Sequence, residues 1–77
     1  MVNTKLLRAK IAESGLKYVY IADKLGLSRY GLQLKIDGKN DFFTEEVNDL
    51  CDLLGVTSLS EKEEIFFNRV VDLQSIK

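Results

Sequence analysis

The sequence predicts an all-α protein, a five-helix array in one domain of 77 residues. Three observations carry this. Apolar residues recur three and four apart, as in Leu7/Ile11, Leu32/Ile36 and Val47/Leu50/Cys51/Leu54, the spacing that gathers them on one side of a helix. Glycines stand where these stretches stop, at Gly15, Gly26 and Gly55, and glycine readily takes the left-handed backbone that ends helices. The chain holds no proline, so nothing breaks a helix by that route.

The first helix is predicted over about 3–14. Leu6, Leu7 and Ile11 form its apolar stripe, Lys5, Arg8 and Lys10 fill much of the other side, and Asn3 or Thr4 caps its start. The second covers about 18–25, with Val19, Ile21, Ala22 and Leu25 inward. Gly26 and Leu27 make the turn, and Ser28 suits the cap of a third helix over about 29–36. There Leu32 and Ile36 face inward, Arg29, Tyr30 and Gln33 outward, and Leu34 falls between. Gly31 is a poor helix former, by about 1 kcal/mol against alanine, so something is expected to approach it closely. Asp37-Gly38-Lys39-Asn40 is a turn by composition. The fourth helix covers about 44–54, with Thr44 as cap, Glu45 and Glu46 suited to the dipole of its first turn, and Phe42 or Phe43 packing at its start. Ser60 and Glu63 match a capping box that opens a short fifth helix, where Ile65, Phe66 and Phe67 close the core. The domain is taken as 1–67. The tail, 68–77, carries Val70, Val71 and Leu73; it reads as a frayed helix end or, more in keeping with its valines, an extended segment able to pair with a second copy.

Composition narrows the function. A chain this short buries only about 60% of its unfolded surface, yet 45% hydrophobic residues are enough for a core and argue against disorder. No apolar run nears the roughly 20 residues that span a bilayer, and the start of the chain lacks the long apolar stretch of a secretion signal. A soluble, cytoplasmic protein without membrane contact is expected. The single cysteine, Cys51, has no internal partner and reads as a small buried apolar residue. No histidine is present, which removes the commonest general base and metal ligand. Glu45/Glu46 and Glu63/Glu64 are adjacent pairs that point apart on a helix, and Asp49 and Asp52 have no third ligand in view. No enzyme activity, metal or cofactor is expected.

Net charge is −1, unpromising for a nucleic-acid partner until its distribution is read. Residues 1–40 hold eight basic and three acidic residues, a net of +5; residues 41–77 hold three basic and nine acidic, a net of −6. Phosphate would be drawn to the first part and repelled by the second, which orients the chain on DNA.

Residues 18–37 carry the sharpest signal. Ala22 lies four residues before Gly26, and Leu32 six after it. A small residue lets two helices cross closely, glycine makes the turn, and the later leucine anchors the second helix, as a helix-turn-helix requires. LGLSRYGLQLKIDGKNDF followed by TEEVNDLCDLLGV resembles the phage repressor and Cro-like (XRE-type) helix-turn-helix family, in its small phage-encoded branch, over about residues 4–67. The resemblance implies a lambda-repressor-like five-helix domain that binds double-stranded DNA as a homodimer and regulates transcription in a bacterial cell.

Position by position, Tyr18 stands where the family has a phosphate-touching glutamine. Ile21-Ala22 match its Leu-Ala, Gly26 its turn glycine, and Ser28 its cap serine, which also touches phosphate. Arg29 and Tyr30 match base-reading positions, and Gln33 and Leu34 later groove-facing ones. Lys35 departs from the pattern, since an aliphatic core residue is usual there; Ile36 is a substitute one place on, which leaves Leu34 or Lys35 as the groove-facing residue. The expected base contacts are Arg29, Tyr30, Gln33 and Leu34. The expected phosphate contacts are Lys17, Tyr18, Lys24, Ser28, Lys35, Lys39 and Asn40. A second reading keeps the fold and replaces DNA by a repressor protein, bound through the acidic half; the sequence pI near 5.3 favours it.

Overall fold

Apolar spacing and caps together produce five helices: α1 (Thr4–Ser14), α2 (Tyr18–Leu25), α3 (Arg29–Ile36), α4 (Thr44–Leu54) and α5 (Leu59–Phe66). A computed structural model describes residues 2–67, and within them every regular element is helical. The conformation expected of the tail, 68–77, lies outside the described residues. No described helix is long and apolar enough to cross a membrane.

Each boundary has a local cause. Asn3 caps α1, its Oδ1 accepting from the Leu6 N–H at 3.1 Å. Thr4 bonds elsewhere: its hydroxyl donates to the Ile36 carbonyl at 2.8 Å, tying the start of α1 to the end of α3. Gly26 takes φ 73°, where a β-carbon would be strained, and lets the Leu27 N–H reach back to the Ala22 carbonyl at 2.8 Å. Two expected caps shift. The cap of α4 is Phe43, not Thr44, and the cap work is done by Glu46, whose Oε1 accepts from the Phe43 N–H at 2.9 Å. The cap of α5 is Ser58, not Ser60; its hydroxyl accepts from the Glu61 N–H at 3.3 Å. Ser58 with Glu61 and Ser60 with Glu63 have the same spacing, and spacing cannot choose between them.

The core is built from every helix: Leu7, Ile11, Ile21, Ala22, Leu32, Ile36, Val47, Leu50, Cys51, Ile65 and Phe66, with Val56 from the α4–α5 connection. Phe42 meets Phe66 edge to face at 5.6 Å. Helix α2 packs against α3 and α4, and α1 against α3, α4 and α5. Two expected core residues are out of it. Val19 is 59% and Phe67 52% exposed, because Tyr18 and Leu25 occupy the flanks of α2 and α5 ends at Phe66.

Lys10 bridges the two halves by an ion pair with Glu61. That bonded carboxylate holds the Lys10 ammonium above its ordinary pKa, against a smaller opposing desolvation. Burial likewise raises the pKa of the Cys51 thiol, in keeping with an inert apolar role.

Candidate nucleic-acid interface

Helix α3 is anchored by one side and free on the other. Leu32 and Ile36 are fully buried. Ser28 starts the helix, its Oγ accepting from the Gly31 N–H at 2.9 Å, which leaves the hydroxyl hydrogen free to donate. A β-carbon at position 31 would stand 3.1 Å from that oxygen, so the close neighbour of Gly31 is its own helix cap and not another helix. From this start Arg29 and Tyr30 project outward; Tyr30 is 73% exposed.

Arg29 and Gln33 lie one turn apart and so share a face. Gln33 is half-buried, and its Nε2 donates to Asp37 Oδ1 at 3.1 Å. The same oxygen accepts from the Arg8 guanidinium of α1. Leu34 is half-buried and lies outside the core cluster. Its carbonyl accepts from the N–H groups of Lys39, at 2.9 Å, and Asn40, at 3.3 Å. That turn closes α3 and holds Lys39 and Asn40 exposed beside it.

Lys17, Tyr18 and Val19 at the start of α2 join Arg29 at the start of α3 to line a shallow concavity of about 420 Å³. Lys17 is exposed, while Tyr18 leans on the core. No side chain caps α2, and the first intrahelical acceptor, the Lys17 carbonyl, serves Tyr20 and Ile21. The N–H groups of Tyr18 and Val19 belong to the uncapped first turn, at the positive end of the helix, an arrangement suited to an anion. Lys24 is exposed at the other end of α2, with its ammonium 5.4 Å from the Tyr20 ring centroid. Among the described residues, Lys17, Lys24, Arg29 and Lys39 have no carboxylate at ion-pair distance.

Lys35 is a correction. It is not on this surface. It is buried, and its ammonium meets Glu46 Oε1 at 2.5 Å while lying 4.1 Å from the Phe43 ring centroid. The helical turn sends position 35 toward α4, so the lysine occupies the place of a core residue and α4 supplies its counter-ion. Spacing along the chain does not pair Lys35 with Glu46, eleven residues on, so in sequence this cation reads as a phosphate contact. Asp37 likewise reads only as a turn residue, and Val19 as core. The i, i+4 spacing of Gln33 and Asp37 was the available signal for the first; Val19 had none.

No protein family, curated protein or solved structure matches this chain.

Proposed function

We propose that this protein is a sequence-specific DNA-binding transcriptional regulator with a lambda-repressor-like domain of the phage repressor and Cro-like kind, acting as a homodimer in the cytoplasm. The observation that carries the reading is the two-sidedness of α3: Leu32 and Ile36 are fully buried while Arg29 and Tyr30 are exposed. A helix so held fits the major groove, where each base pair offers a distinct set of donors and acceptors. Arg29 suits guanine O6 and N7, and Gln33 suits adenine. Tyr30 reaches a thymine methyl or a phosphate, and Leu34 follows the groove wall. Lys17, Tyr18, Lys24, Ser28, Lys39 and Asn40 set the register on phosphate without reading sequence.

Selection from a random DNA pool tests this. A palindromic consensus is expected, with affinity that falls steeply as salt rises because counterions are released from phosphate. The exposed Val19 beside Arg29 favours a second reading, in which a repressor protein is bound, by this face rather than by the acidic half to which the sequence assigned it. Failure to select any DNA sequence, with salt-independent binding to a purified repressor, would establish that reading and remove the first.

A further inference from the structure

Asp37 sits at the C-terminal end of α3, where the helix dipole disfavours an acid. Its Oδ1 accepts from Gln33 and from Arg8 at once, and Thr4, one turn before Arg8 on the same side of α1, grips the neighbouring Ile36 carbonyl. The acid is thus held in an unfavourable place by α1 and aimed at a single side chain of α3. Resting on the DNA-reading function, we infer that Asp37 is a positioning residue for specificity: it fixes which way the Gln33 carboxamide faces and thereby the preference for adenine at one base position.

An ionised carboxylate only accepts hydrogen bonds. The end of the Gln33 carboxamide facing Asp37 is therefore nitrogen, and the carbonyl oxygen is turned away. One N–H is committed to Asp37. The second N–H and the oxygen remain, in fixed order, and these are the groups that adenine N7 and N6–H require. The reversed order would set the carboxamide oxygen against the N7 lone pair. Arg8 neutralises the carboxylate, so an acid can stand near phosphate with little repulsion.

The test uses the full chain and the variants Asp37→Ala, Asp37→Asn and Gln33→Ala. By NMR, the Gln33 side-chain amide is expected to be restrained in the unaltered protein and in Asp37→Asn, which keeps an acceptor oxygen, and to gain the mobility of a free glutamine in Asp37→Ala. In selection from random DNA, Asp37→Ala is expected to lose about fivefold or more of discrimination at the same position that Gln33→Ala flattens. Its affinity for unrelated DNA stays equal or rises, whereas a merely structural role would weaken all sequences alike. Asp37→Asn retains the preference, because the Arg8 guanidinium only donates and so keeps the asparagine oxygen, not its NH2, at the place that Gln33 meets. A position flattened by Gln33→Ala but untouched by Asp37→Ala overturns the inference and leaves DNA reading intact, as does an amide equally mobile in both proteins. Absence of any selected sequence for the unaltered protein overturns DNA reading, and the inference with it.

Discussion

Arg29 stands in the first turn of α3 with no carboxylate at ion-pair distance among the described residues. Its planar fork is free for a two-bond contact, which is what makes arginine a reader of guanine rather than a plain cation. Arg29→Ala is expected to weaken binding to the selected site by about 1–3 kcal/mol and to relax the preference at one base pair, measured by competition between matched and singly altered sites. A loss equal on every sequence would instead make Arg29 a phosphate contact. Nothing in the core depends on it, so the melting temperature is expected to stay put.

At the scale of elements, the contact that holds α3 to α4 is ionic as well as apolar. The side chains of Lys35 and Glu46 are 9% and 11% exposed, and Glu46 Oε1 also serves the Phe43 N–H at the start of α4. Removing one member leaves a buried charge alone, which costs about 3–5 kcal/mol. Lys35→Met is therefore expected to lower unfolding free energy by about that amount in urea titration. Adding Glu46→Gln removes the stranded charge and keeps an acceptor for Phe43, so the double variant should recover most of the loss. A double variant no more stable than Lys35→Met alone would show that the pair is not what joins these helices. The resemblance marks position 35 as one usually held by a core residue, but the partner was not legible in sequence, because Lys35 and Glu46 belong to different helices. The helices themselves were legible, since their spacing and glycine stops are local. Their caps were less so: Phe43 and Ser58 were each missed by one or two residues, because several residues nearby can accept the same bond.

At the scale of the whole molecule, the basic and acidic halves of the chain are not two separate faces. Lys10–Glu61 and Lys35–Glu46 draw cations of the first half onto acids of the second, and Arg8 is spent on Asp37. What is left positive among the described residues includes Lys17, Lys24, Arg29 and Lys39, around α2 and α3. Stability should also have a pH signature. The buried Cys51 thiol has a raised pKa in the folded state, so the folded state stays protonated where the unfolded chain ionises, from about pH 8.5 upward. Lys10, raised by Glu61, contributes stability below its ordinary pKa and loses it as pH climbs through the higher folded value. Both act in one direction. The urea midpoint is expected to fall as pH rises above about 8.5, and Cys51→Ala to flatten the first part of that fall. A midpoint constant from pH 7 to 10 would contradict the burial of this thiol.

The sequence alone determined five helices, their order, the turn at Gly26 and the inward set of Leu32, Ile36, Val47 and Leu50, because helix period and backbone preference act over a few residues. Tertiary structure alone decided that Lys35 turns inward to Glu46, that Val19 is left outside, and that Arg8 and Asp37 converge beside Gln33. Those outcomes depend on how helices cross, and the crossing is set by contacts between residues far apart in the chain.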